Sequence, residues 1–134
     1  MAEDESLTIT AAEWNQKAGN VLLPALDSVD DLIDLKAQVE AGADLFMVTQ
    51  GPILIGAYIL RVDHLASGPE GVIVAAAGHI DGGGLLAGLL PVIEKQFMGV
   101  GRIRAHTNRP GIAKQLERAG YKAAEIVLRK TCTC

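Results

Sequence analysis

Two spacings of apolar residues divide this chain into elements. Helical spacing marks Leu32, Leu35 and Val39, a stripe that Ser28 caps, that Asp30 and Asp31 favour in the first turn, and that Gly42 ends. Short apolar runs follow: Asp44 to Gln50, a Gly51-Pro52 turn, then Ile53 to Val62, which together predict a hairpin. The stretch from Ile53 to Leu60 is apolar on both faces, as a central strand covered on each side must be. A polar loop from His64 to Glu70 leads to a strand over Gly71–Gly78, whose Ala75-Ala76-Ala77 lets a neighbour pack close. Three consecutive glycines, Gly82 to Gly84, then open a helix with Leu86, Leu90, Ile93 and Phe97 facing inward. Pro91 lies inside that helix and predicts a kink, unless the helix proper starts near Pro91.

In the last third, Arg102 to Thr107 reads as a strand and Pro110 opens a helix with Ile112, Leu116 and Ala119 inward. Gly120 stops that helix, and Lys122 to Lys130 predicts a final strand. Near the start, Thr10-Ala-Ala-Glu13 fits a capping box and predicts a helix beginning at Thr10 and pausing at Gly19. The order β, α, α, β, β, β, α, β, α, β predicts a mixed α/β fold whose mainly antiparallel sheet is flanked by helices. One crossover unit is too little for a doubly wound sheet.

At 134 residues, 49 % hydrophobic and 4 % aromatic, the chain suits a single domain over 1–134 with an aliphatic core. No run is long enough for a membrane span, and the acidic start Ala2-Glu3-Asp4-Glu5 is unlike a signal peptide, so a soluble, cytoplasmic protein is expected. Cys132 and Cys134 alone cannot complete a zinc site, so no metal is expected and the pair reads as a reduced tail.

The net charge of −4 hides an asymmetry: residues 1–94 carry 3 basic and 14 acidic side chains, residues 95–134 carry 9 and 2. The basic group includes Arg102, Arg104, Arg109 and Lys114. It either surrounds an anion or neutralises the acidic half across the fold. Nucleic acid is disfavoured, because the chain is acidic and lacks interleaved aromatic and basic residues.

The glycine corner adds chemistry. A glycine turn between strand and helix lets backbone N–H groups approach an anion, and the helix N-terminus behind it is partially positive. That suits a phosphorylated ligand. Gly82-x-Gly84-x-x-Ala87 also fits a dinucleotide fingerprint, but Arg102 and Arg104 lie near where its confirming acid belongs, and too little chain follows.

The layout resembles the GNAT superfamily of N-acetyltransferases over nearly the whole chain. In that family the fourth strand ends in Gln/Arg-x-x-Gly-x-Gly/Ala, whose amides hold the acetyl-CoA pyrophosphate. The matching segment is His79-Ile80-Asp81-Gly82-Gly83-Gly84, with His79 in the leading position and an added charge at Asp81. A second family pattern near the C-terminus matches Asn108, the helix after it and Gly120-Tyr121. The tyrosine that commonly protonates the departing thiolate falls on Leu116, and Tyr121 takes an apolar core position.

The resemblance implies an acetyl-CoA-dependent N-acyltransferase acting on an amine of a small molecule or protein. It implies that acetyl-CoA is held by Ala77, His79, Gly82, Gly83, Gly84 and Asn108. Positioning and carbonyl polarisation by a strand amide carry much of such a reaction, since the thioester is already activated. The base is expected among Glu70 and His79, with His64 a further candidate, directly or through water. In the plainer reading Glu70 is a solvated loop acid, His79 a loop or cap residue, and His106 a partner for local backbone. The acidic first half suits a cationic acceptor, and a homodimer is compatible with the sequence. The competing reading is a module of this fold without catalysis, as in phage-encoded virion or accessory proteins, to which small chains of this kind are also similar.

Overall fold

The computed structural model describes residues 6–80, 83–107 and 109–132. Asp81, Gly82, Asn108 and Cys134, singled out above, lie outside the described residues. The elements are β1 (Leu7–Ala12), α1 (Gln16–Leu22), a 3-10 turn (Leu23–Ala25), α2 (Val29–Glu40), β2 (Asp44–Gln50), β3 (Ile53–Leu65) and β4 (Gly68–Ile80), followed by β5 (Gly83–Gly84), α3 (Leu85–Gln96), β6 (Arg102–Ala105) and α4 (Pro110–Arg118). The sheet runs β1-β2-β3-β4-β5, with β6 also pairing to β4. All pairs are antiparallel except β4 with β6, so the mixed, mainly antiparallel sheet flanked by helices is observed.

The helices lie on both faces of the sheet. Tyr58, Leu60 and Ile73 pack with Leu86, Leu89, Ile93, Phe97 and Leu116 on the α3/α4 face. Ala57, Ile59 and Ala77 pack with Ala18, Leu22 and Leu35 on the α1/α2 face. β3 sits centrally and is buried from both sides, as its two apolar faces require. Phe46 stacks on Tyr58 across β2 and β3 at 5.1 Å between centroids.

Local signals account for most boundaries. Ser28 Oγ accepts from the Asp31 amide and starts α2. The capping box at Thr10 is a correction: Leu7–Ala12 is a strand, and the first helix starts at Gln16 with Asn15 Oδ1 accepting from Ala18 N. Pairing of Leu7–Ala12 along β2 buries part of Ile9 and Ala12, which one isolated turn of helix could not match. α3 starts at Leu85 and runs through Pro91, so the later start is excluded. Ala87, whose carbonyl Pro91 leaves without its helical donor, is exposed to solvent.

Two further corrections concern the strands. The loop expected over His64–Glu70 is mostly strand, because β3 and β4 stay paired as far as Leu65 and Gly68. The strand expected over Lys122–Lys130 is absent: those residues have no regular secondary structure and are exposed. Ala119 is also exposed rather than inward, whereas Leu116 is buried.

Candidate functional site: an unpaired stretch of β4

β4 changes character halfway along. Its first half pairs with β6 from Glu70↔Arg102 to Ile73↔Ala105, and the ladder stops there. Against β3, Leu60 pairs with Ile73 but Ile59 pairs with Ala75, so Val74 is the extra residue of a β-bulge. At the far end His79 and Ile80 pair with Gly84 and Gly83 of β5. Between these two ladders, the β4 edge from Val74 to Gly78 has no strand partner among the described residues. Five residues of extended chain span about 16 Å. This stretch of main chain lies between β6 at one end and the start of α3 at the other.

The start of α3 is fixed by packing. Leu85 is buried, and its Cδ1 would lie 2.7 Å from a Cβ at Gly56. Gly56 pairs with Gly78, which has φ +125° and would bring a Cβ to 2.2 Å from the Ile55 carbonyl oxygen. Glycine at both positions therefore lets β3, β4 and Leu85 close together. Gly84 is the N-cap residue of α3 and makes no side-chain cap hydrogen bond. The first amides of the helix have no partner within it, so they and the helix dipole favour an anion at this corner. Among the described residues, a Cβ at Gly84 would meet nothing within 4 Å, and one at Gly83 would meet Ile80 O at 3.5 Å. Among the described residues, neighbouring side chains leave the glycine corner open. Part of the glycine backbone is engaged in the β5 ladder, which the sequence pattern did not disclose.

The expected site residues separate into two groups. Ala77, His79, Gly83 and Gly84 lie at the open end of β4 and its β5 turn, with His79 exposed. Glu70 lies at the paired end, nine residues before His79 on the same strand, about 30 Å away along an extended chain. Glu70 is buried rather than solvated: its oxygens meet Arg102 Nε at 3.1 Å and Arg104 Nη1. Arg104 also holds Asp63 at 2.6 Å, and Arg61 meets the same carboxylate at 2.7 Å. The two hydrogen-bonded guanidiniums, Arg61 first and Arg104 second, hold the Asp63 carboxyl at about 2 against an ordinary 3.8. Arg102 and Arg104 thus neutralise acids of the first half of the chain.

Other candidates are placed outside the opening. His64 is exposed near the distal end of β3, beside Pro69. His106 accepts from Arg104 Nε at 3.1 Å, a side-chain partner rather than local backbone. Arg109 Nη2 donates to the Pro24 carbonyl at 3.4 Å and links the start of α4 to the turn before α2. Tyr121 packs against the core and donates to Glu94 at 3.0 Å; burial first, and the Glu94 hydrogen bond second, raise its pKa. The described residues include no group of three or more His, Cys, Asp or Glu placed to hold a metal, and no helix long and apolar enough to cross a membrane.

What sequence reasoning missed is the Arg61–Asp63–Arg104–Glu70–Arg102 chain of ion pairs. Its signal was alternation: Arg61 and Asp63 on β3, and Arg102 and Arg104 on β6, fall on one face once each segment is a strand.

No protein-family profile and no curated protein matches the sequence. Solved structures do match the fold. An aminoglycoside N-acetyltransferase in complex with CoA superposes with a TM-score of 0.67 at 15 % identity, covering 100 % of this chain and 99 % of that one. The ribosomal-protein-alanine N-acetyltransferase of Brucella melitensis gives 0.64 at 14 % identity, covering 96 % and 100 %. A GNAT family acetyltransferase of Staphylococcus aureus gives 0.63 at 15 % identity, covering 95 % and 99 %. The chain therefore has the acyl-CoA N-acyltransferase fold of the GNAT enzymes.

Proposed function

We propose that this protein is a divergent GNAT enzyme, an acetyl-CoA-dependent N-acyltransferase acting on an amine of a small molecule or protein. The observation that carries this reading is the Val74–Gly78 edge of β4, which among the described residues has no strand partner between β6 and a glycine-capped helix start. Acyl-CoA, as co-substrate, supplies an activated thioester and a diphosphate. The amides at the start of α3, with Gly83 and Gly84 beside them, suit the diphosphate. Ala77 leaves room along the strand, and a β4 amide in the opening suits the thioester carbonyl, where negative charge develops. Gly82 and Asn108 complete the proposed binding set.

In the reaction an N–C bond forms and a C–S bond breaks, with one amine proton leaving to a base. His79 is exposed and adjoins the open end, so it serves as that base or as a donor to phosphate. Glu70 would have to leave two guanidiniums before it could take a proton. Its present role is to hold β6 against β4. Leu116 is buried in the core and gives no proton, so the sulfur departs as thiolate or is protonated by water. The Arg109–Pro24 contact ties α4 to the α1–α2 connection, next to Asp27, Asp30 and Asp31. Those acids favour a cationic amine approaching from that side.

The buried Leu116 also favours a second reading, a catalytically silent module of the same fold such as a phage virion or accessory protein. A thermal-shift titration separates the two. Acetyl-CoA at about 100 times its Kd stabilises the fold by about 2.7 kcal/mol. Such a shift, with CoA thiol released on adding a polyamine or peptide amine, supports the transferase; no shift at millimolar acetyl-CoA overturns it.

A further inference from the structure

The arginines of the sheet, Arg61, Arg102 and Arg104, are each matched to a carboxylate. Arg109 is not. It is exposed, pairs with no carboxylate among the described residues, and gives one donor, Nη2, to the Pro24 carbonyl at 3.4 Å. A guanidinium carries five N–H donors, so most of its capacity is unspent. Its backbone is fixed. Pro110 bars the helical region at Arg109, which has φ −102° and ψ 115°, and the Arg109 amide donates to Thr107 Oγ1 at 3.1 Å.

Two chain paths meet at this side chain. β6 leaves β4 after Ile73↔Ala105, and the chain runs on from there to Arg109. From the other side α1 lies across β3 and β4 and passes into the 3-10 turn, which rests on β4 with Ala25 against the cluster that holds Ala77. The Arg109–Pro24 hydrogen bond joins the two paths. The guanidinium therefore stands at the rim of the Val74–Gly78 stretch rather than in it. Asp30 and Asp31 follow Pro24 in the first turn of α2, so this rim carries both signs of charge.

We propose that Arg109 selects the acceptor by taking its carboxylate, so that the substrate is a small molecule carrying both an amine and a carboxylate, as an amino acid does. This assignment rests on the transferase reading given above. A planar guanidinium meets a carboxylate through two parallel N–H···O bonds, which orient the bound molecule as well as hold it. The Pro24 carbonyl is neutral and a weaker acceptor than a carboxylate, so the present hydrogen bond keeps the side chain at the rim without competing strongly for it. Asp30 and Asp31 draw the ammonium end of the same molecule toward this side. With the carboxylate anchored, the amine is left to turn toward β4, where the acyl group is transferred. An amine without a carboxylate gains no such anchor.

The test measures acetyl transfer from acetyl-CoA to standard α-amino acids and to matched amines without the carboxylate, lysine against cadaverine and alanine against ethylamine. The carboxylate-bearing acceptor should have a kcat/KM about tenfold or more higher. Arg109→Gln should raise KM for the amino acid about tenfold, lower kcat much less, and bring the two acceptors of a pair level. Arg109→Lys should restore part of the preference, since it keeps the charge and loses the fork. The side chain is exposed, so both variants should fold, and acetyl-CoA should raise the melting temperature of Arg109→Gln as much as that of wild type. Equal kcat/KM within each pair overturns the assignment, and so does a preference that Arg109→Gln keeps. Weakened acetyl-CoA binding in Arg109→Gln overturns it too, and gives the guanidinium to a phosphate of the co-substrate. Wild type without any acetyl-CoA shift defeats the transferase reading itself, whereas a shift with no preference for the carboxylate defeats this assignment alone.

Discussion

The two halves of β4 are built by opposite means. From Glu70 to Ile73 the strand is paired on both edges, and its buried carboxylate is held by two arginines from β6. From Val74 to Gly78 one edge has no strand partner among the described residues, three alanines follow Val74, and Gly78 has positive φ. The first half invests in cohesion and the second leaves main-chain groups available. The bulge at Val74 is the hinge between them, since an extra residue on one strand breaks the ladder and increases local twist. A sheet that opens partway along a strand concentrates unpaired donors at one place, and such a place suits a carbonyl or phosphate.

The largest effect should come from closing the space at the open half. Gly78→Val puts a branched Cβ where the Ile55 carbonyl stands and imposes a strained φ. We expect a loss of about 3 kcal/mol or more, read as a lowered urea midpoint. A variant as stable as wild type would mean that β3 and β4 are not closely apposed there. The next effect belongs to the paired half. Glu70→Gln leaves Arg102 and Arg104 without their shared carboxylate and should cost about 1–3 kcal/mol. If Glu70 is an anchor, its variant keeps the dependence of turnover on pH and loses stability. If Glu70 is the base, turnover falls by about 100-fold or more with little loss of stability.

A third substitution separates binding from folding. Gly84 has φ −69° and, among the described residues, open space around its Cβ position, so Gly84→Ala should leave the melting temperature nearly unchanged. A methyl group there stands in the path of an anion approaching the first amides of α3. Acetyl-CoA affinity should fall about tenfold, or about 1.4 kcal/mol, by calorimetry. Equal affinity in both proteins would move the diphosphate away from this corner.

The sheet was legible because its signals are local. Ser28 capped α2 as read, Gly51-Pro52 turned the β2–β3 hairpin, and the doubly apolar Ile53–Leu60 became the central strand. The glycine corner was legible as a strand-to-helix turn, whereas the pairing of Gly83 and Gly84 with β4 was not. Three further things were not legible, and each depends on a distant partner. Leu7–Ala12 reads as a capping box until β2 is beside it. The ion pairs of Glu70 need β6, whose arginines lie more than thirty residues away. The apolar alternation of 122–130 reads as a strand, but a strand needs a partner edge, and the segment is exposed without regular secondary structure.

The smallest predicted effect tests the cohesion of the paired half through pH. Asp63 is held by Arg61 and Arg104, and its carboxyl sits at about 2 in the folded chain against 3.8 ordinarily. A carboxylate with a depressed folded value contributes stability above its unfolded value and loses it as pH falls through the folded one. The contribution is therefore complete above about pH 4 and gone near pH 2. Asp63→Asn should be less stable than wild type at neutral pH, and the gap should narrow through that window. The side chain is 25 % exposed, so added salt should shrink the neutral-pH gap as well. Urea midpoints at several pH values measure this directly. A gap that stays constant from neutral pH to pH 2 would show that Asp63 contributes shape rather than charge, and the ion-pair chain would then not be what closes β6 onto β4.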